Sequence, residues 1–345
     1  MKKNYNPAID ALRIFASLAV VFIHTTTKTL EASSYDLQRL PWTLFLNQIF
    51  RFAVPLFFMI SGFVLELNYP FHASYSTYLK KRMTRILIPY IFWSAIYYFF
   101  VYKQHEASLF NMLLTGDASY QLYFIPALLI FYIIFPFIHT YYRIFTKKWL
   151  VIFLGITELL LLYIEYYVHQ LPLISPIRIA ILNYFMFLVG IIASHHQKEI
   201  LQFMQKKKYS IFLITLGLGS YIFFEGRNLY LKTNNYLSFY SQWRPSVFIY
   251  TFFLTLSSYF IFTKYIRFPT IVKTLSKLSF FVFFVHVIIL EIIWNSFGST
   301  VFKWTNTHIA ENFWYDPLFF MIIASISFVI AYLVHKIPFL SRLTS

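Results

Sequence analysis

Cysteine is absent from the 345 residues, which excludes a disulfide scaffold, thiolate metal sites, an Fe–S cluster and a cysteine nucleophile. Glycine is scarce, at 8 residues; neither a Walker-type loop nor a GxGxxG turn occurs, so ATP-driven pumping is not expected. Charge is scarce as well. Only 12% of the residues are charged and 59% are hydrophobic, whereas a water-soluble domain has roughly 25% and 45–50%. Acidic residues are the rarest part, 13 against 29 Lys and Arg, which leaves a formal charge of +16. A nucleic-acid-binding domain of that charge would carry its cations on a polar surface, and this chain has too little polar surface to do so. What it has in excess is aromatic: 43 Phe, 28 Tyr and 7 Trp. Soluble packing would leave large apolar patches in water, so lipid is the expected solvent. A soluble enzyme, a DNA binder and a disordered tail are excluded together; the lipid bilayer is an expected partner and nucleic acid is not.

Other signals are missing too. After Met1-Lys2-Lys3 the first apolar stretch is long and has no small-residue cleavage site, so it reads as a retained span rather than a removable signal. There is no Gly/Ser linker, no repeat of 20 to 50 residues and no polar block long enough for a second domain. A single integral-membrane domain over 1–345 is expected.

A bilayer core of about 30 Å takes about 20 apolar residues in helical form. Ten such stretches occur, at 8–26, 42–66, 86–103, 120–140, 149–168, 178–195, 210–225, 243–264, 277–296 and 316–336. A β-barrel would alternate apolar and polar residues; Leu159-Leu160-Leu161-Leu162 and Phe280-Phe281-Val282-Phe283-Phe284 are apolar on every face. The expected fold is therefore all-α, a polytopic bundle of ten transmembrane helices. Cytoplasmic loops carry an excess of Lys and Arg. With the N-terminus inside, 19 of the 29 cations fall in inner segments and 8 in outer ones, so both termini are expected to be cytoplasmic. Two cations, Arg13 and Arg51, lie inside spans and are not explained by topology.

Ionisable groups at membrane depth are costly and face a cavity or a partner. In the first span, Arg13 and His24 are eleven residues apart, which puts them on one helix face about 16 Å apart along the axis. Asp10 and Ser17 fall near the same stripe, which points to a lined cavity. Alone, Arg13 could equally snorkel to the interface or pair with Asp10, and His24 could be a satisfied interhelical hydrogen bond. The second span carries Asn47 and Arg51, then Pro55, able to kink the helix and free carbonyls, and Ser61-Gly62, able to bring helices close. Arg51 is too deep for easy snorkelling and needs a carboxylate, a carbonyl or a ligand. His286 sits midway through the ninth span with Glu291 five residues further out; it reads as a core hydrogen bond, a proton relay or a catalytic partner. Glu158 and Glu165 share a face of the fifth span without an obvious basic neighbour. Between the second and third spans, Lys80, Lys81, Arg82 and Arg85 are what the orientation rule alone requires. Arg82 and Arg85, three apart on a helix start, also offer two forks to one anion, such as a phosphate-bearing cytosolic cofactor.

These residues resemble the acyltransferase-3 family of membrane O-acyltransferases. Arg13, ten residues and then His24 is similar to its first-span signature, and Val54-Pro55-Leu56-Phe57-Phe58-Met59-Ile60-Ser61-Gly62 to its second-span signature. Tyr78-Leu79 with Arg82 and Arg85 is similar to its cytoplasmic Arg-x-x-Arg motif, with Pro89 one residue later than in the common form, and Leu278 to His286 to its late-span histidine motif. The family core also has ten spans. No esterase-like domain follows the tenth span, so the resemblance is to the short form, whose members include enzymes that acetylate enterobacterial common antigen and proteins that modify or export poly-N-acetylglucosamine. The resemblance implies transfer of an acyl group, most often acetyl, from cytosolic acyl-CoA as a co-substrate to a hydroxyl of a cell-surface glycan or its lipid-linked precursor. It implies a bacterial plasma-membrane location beside surface-polysaccharide synthesis machinery, and no permanently bound cofactor or metal. His24 would then be the base that deprotonates the attacking hydroxyl. Arg13 and Arg51 would orient substrate or stabilise developing charge, Arg82 and Arg85 would hold the CoA phosphates, and His286 would relay. An exporter of a polysaccharide, its precursor or a glycolipid, with a proton path through His286, Glu291 and the first-span stripe, is the alternative, although no internal repeat between 1–170 and 171–345 supports it. A structural subunit that recruits a synthase is a third.

Overall fold

The computed structural model describes residues 6–33, 40–69, 74–102, 107–233, 237–308 and 313–337. Among them the regular structure is helical throughout, with no strand. The main helices are α1 (Pro7–Ala32), α2 (Pro41–Ile49), α3 (Ala53–Leu67), α4 (Tyr75–Ile96), α5 (Phe124–Thr140), α6 (Lys148–Tyr163), α7 (Ser175–Ile181), α8 (Tyr184–His195), α9 (Gln197–Thr233), α10 (Pro245–Tyr265), α11 (Pro269–Ile293) and α12 (Tyr315–Lys336). α1, α2, α10 and α11 begin on a proline, whose fixed φ and missing N–H suit the first helical turn. Among the described residues eight segments are long and apolar enough to cross a membrane, α2 and α3 counting together; α7 with α8 makes a further, bent one, and α5 is shorter at 17 residues. Each of the ten stretches expected from the sequence is thus an apolar helix or helix pair. Several run longer than expected because the helix continues past the hydrocarbon: α9 extends back to Gln197 through the exposed Lys206, and its polar first turns need no lipid.

Two spans are broken, for local reasons. Pro55 has no N–H for the Arg51 carbonyl four residues back, and its ring crowds that carbonyl. The helix breaks there rather than at Pro55 itself: α2 stops at Ile49, and Arg51 and Ala53 donate their N–H groups to Gln48 and Phe50 in a tight turn (3.1 and 3.2 Å). The sixth span bends by 49° between α7 and α8. At that bend the buried Asn183 turns its amide back to the Ile179 carbonyl (2.8 Å), and the Glu158 carboxylate of α6 accepts the Phe185 N–H (2.6 Å), standing in for the missing helical acceptor.

The chain divides into two compact units, one of Met1–Asn6, Pro55–Lys206 and Trp243–Pro245, the other of Pro7–Val54, Lys207–Gln242 and Ser246–Ser345. In the first, α3 and α8 touch backbone to backbone across Gly62 and Gly190. In the second, α1 packs mainly on α11, and both pack on α12. Residue numbers rise together along the α1–α11 contact, from Arg13 with Ser276 to Lys28 with Glu291, so these helices run parallel. The first and ninth of ten alternating spans must do so. α12 runs the other way, its first turn meeting the end of α1 through Asp316 and Thr29.

Candidate active site

The polar stripe of α1 meets a matching stripe of α11 in four rungs. At the first, Arg13 donates to Ser276 Oγ (3.0 Å) and pairs with Asp10 (3.3 Å), while Ser276 donates to the same Asp10 oxygen (2.6 Å). At the second, Ser17 donates to the Ser279 carbonyl (3.3 Å). At the third, the rings of His24 and His286 stack, centroids 5.3 Å apart and planes within 28°. At the fourth, Lys28 pairs with Glu291 at 2.7 Å. Ser17 and Ser279 are buried, and so are Val20, Val21 and Val282 above them. The stripe is therefore a packed seam at that level, and the lined cavity expected along it does not run its whole length.

His24 is half-buried and His286 fully buried. His286 Nδ1 lies 2.9 Å from the Val282 carbonyl one turn back, which can only accept. That assigns the proton to Nδ1 and leaves the lone pair on Nε2, which has no hydrogen-bond partner among the described residues.

Arg51 reaches the same level from the break between α2 and α3. It donates to the Asn47 side-chain oxygen and the Tyr240 carbonyl, both neutral oxygens, and its guanidinium lies over the Tyr240 ring at 5.2 Å. Asn47 in turn donates to Thr26 Oγ1 (2.9 Å) and the Ile23 carbonyl (3.3 Å), two residues after His24 and one before it. The break that Pro55 imposes is thus what turns a deep arginine toward the histidine. Above this level Asp316 accepts from Thr29 (2.7 Å) and Thr43 (2.6 Å), tying α1, α2 and α12 together.

Of the residues singled out in the sequence, the structure joins His24, His286 and Arg51. Arg13 stays eleven residues away along α1, with Asp10 and Ser276, its side chain 30% exposed. It cannot touch the atom that His24 touches. Arg82 and Arg85 stand on α4, which Ser74 caps by accepting the Thr77 N–H. Arg82 is half-buried and Arg85 exposed, and both belong to the other unit. Glu165 does have a basic neighbour, Arg178 of α7, at 3.7 Å. Ser276, Thr26 and Asp316 were not legible as site residues. Hydroxyls are common in membrane helices, and an aspartate in a first helical turn looks like an ordinary dipole partner.

Two imidazoles and a guanidinium thus lie at one level of a bundle whose helices are long and apolar enough to cross a membrane. A family model described as an acyltransferase domain, Acyl_transf_3, matches residues 6–336. The chain belongs to the acyltransferase-3 family and is an integral-membrane acyltransferase. It is 27% identical over 310 residues, 84% of this chain and 82% of the relative, to a protein of Staphylococcus epidermidis named as a probable poly-beta-1,6-N-acetyl-D-glucosamine export protein. It is 32% identical over 151 residues, 40% of this chain and 42% of the relative, to a putative acetyltransferase of Acidianus two-tailed virus. No solved structure matches it.

Proposed function

We propose that this protein transfers an acyl group, acetyl in the first instance, from cytosolic acyl-CoA to a hydroxyl of a cell-surface glycan or its lipid-linked precursor in the bacterial plasma membrane, with both termini cytoplasmic. The observation that carries the reading is the stacked His24–His286 pair with Arg51 held beside it. A hydroxyl is a poor nucleophile until a base removes its proton as it attacks a thioester. His24, the more accessible ring, is that base. His286 holds the ring by stacking, and its Nε2 lone pair is a second proton acceptor within the same pair. Arg51 stabilises the negative charge that develops on the carbonyl oxygen. Arg13, at the cytoplasmic end of the seam, orients substrate on the donor side.

The guanidinium forks of Arg82 and Arg85 suit the CoA phosphates. Replacing both by alanine is expected to weaken acetyl-CoA binding at least tenfold, measured by titration of the purified protein, whereas Lys206→Ala with Lys207→Ala leaves it within twofold. Equal losses from both pairs would mean that these cations serve topology alone.

Export is the second reading, favoured by the name of the Staphylococcus relative. Purified protein in liposomes with labelled acetyl-CoA and a glycan acceptor separates the two. Label on the acceptor supports transfer; movement of the acceptor without label supports export.

A further inference from the structure

The unit that carries Arg82 and Arg85 holds a second cluster of titratable groups, which the reading above does not use. Three helices end together there. Glu66 is the second-last residue of α3, His139 the second-last of α5 and His195 the last of α8. The Glu66 carboxylate, almost fully buried, meets His195 Nε2 at 2.8 Å and His139 Nδ1 at 3.0 Å from each oxygen. The ring of His195 lies on Tyr142, centroids 4.4 Å apart, and that of His139 on Tyr69 at 4.5 Å. Tyr69 in turn meets Tyr78, one helical turn before Arg82, at 5.2 Å.

Each member has a definite chemical character. A carboxylate on Nε2 fixes the His195 tautomer with its proton there and leaves the lone pair on Nδ1. Nδ1 makes no hydrogen bond among the described residues, and the side chain is 44% exposed, so a substrate can reach it. Three helix C-termini and Glu66 favour positive charge, which steadies the imidazolium that forms when a base takes a proton. The Tyr142 hydroxyl is buried with no hydrogen-bond partner, a donor beside His195 with nothing to donate to. Burial first, and then the Glu66 carboxylate, hold that hydroxyl above the usual phenol range, so it keeps its proton. A base, a group that orients it and a donor placed for an oxyanion are the parts of an acyl-transfer centre.

We infer that His195, oriented by Glu66 and assisted by the Tyr142 hydroxyl, is a second acyl-transfer centre that acts on a thioester carbonyl with water or a hydroxyl as nucleophile. His195 Nδ1 takes the proton of the attacking O–H as the new C–O bond forms. The Tyr142 hydroxyl donates to the oxyanion of the tetrahedral intermediate. The C–S bond then breaks, and the thiolate leaves with the proton held on Nδ1, so that thioester and O–H become ester or acid and thiol. His139 shares Glu66 and keeps the carboxylate in place. The inference rests on the reading that the donor is acyl-CoA.

The chain has no cysteine, so a thiol reagent added to the full-length protein in liposomes reads only CoA released from acetyl-CoA. Without any acceptor, the wild type is expected to release CoA slowly, with water as the nucleophile. His195→Ala lowers the rate by about 10²-fold or more, and free imidazole restores part of it, which a merely misfolded variant would not show. Tyr142→Phe lowers the rate about 10²-fold, and Lys206→Ala with Lys207→Ala, at exposed cations outside the cluster, leaves it unchanged. Wild-type protein that labels a glycan acceptor but releases no CoA without one would overturn this inference alone, as would a folded His195→Ala variant with the wild-type rate. Neither CoA release nor labelled acceptor would overturn the inference and the acyl-CoA reading together.

Discussion

His24→Ala is expected to lower acyl transfer to the glycan acceptor by about 10²–10⁴-fold, the usual contribution of a positioned general base, while the protein still inserts and folds. Folding should survive because His24 contributes one face of a ring stack, whereas α1 is held to α11 by the Arg13–Ser276, Ser17–Ser279 and Lys28–Glu291 contacts, to α12 by Thr29–Asp316 and to α2 by Thr26–Asn47. His286→Phe separates two roles of the partner ring. It keeps an aromatic face against His24 but removes the Nε2 lone pair, so a loss in transfer with unchanged thermal stability assigns the proton-accepting role to His286. The measurement is label on the acceptor per unit of folded protein. A normal rate for His24→Ala would remove His24 from the mechanism.

Gly62→Val or Gly190→Val is expected to have the largest effect on stability of any single change in Pro55–Lys206. A Cβ on Gly62 would stand 2.1 Å from the Phe187 carbonyl oxygen, and one on Gly190 would stand 1.9 Å from that of Met59. Both clashes are with backbone, so no side-chain rotamer relieves them; α3 and α8 must separate. Without a hydrophobic driving force between them, membrane helices associate largely through close packing, and small residues set how near they come. The cost lies at or above the upper end of the about 1–3 kcal/mol typical of overpacking. Thermal melting in detergent, read by size-exclusion of the heated sample, checks this: Gly217→Val, whose Cβ meets nothing within 4 Å, should melt like the wild type while the other two melt lower. Equal melting of all three would show that the α3–α8 approach does not limit stability.

The glycine contact also shows how far the sequence reaches. Ser61-Gly62 reads as a place for close packing, but the partner on α8 lies over a hundred residues away, and nothing local names it. Pro55 reads as a kink, yet the break falls at Arg51, because a proline removes the bond to the residue four before it. The Arg13-to-His24 spacing reads as one polar face and is one. That face is a seam closed by α11, with Arg13 and His24 in separate clusters. Glu66, His139 and His195 stand at the ends of three apolar helices, where polar residues are ordinary, and nothing local marks them as a set.

By itself the sequence determined that this is a helical membrane protein, where its spans lie and which family motifs it carries. Hydrophobic length and cation placement are properties of the chain read locally, and in a bilayer every backbone group must be satisfied within its own helix. Only the tertiary structure decided which polar residues meet. A buried imidazole, carboxylate or guanidinium takes its partner from another helix, and that choice depends on packing between segments far apart in the chain. It brought His24 to His286, Arg51 to Tyr240, and Glu66 to two histidines.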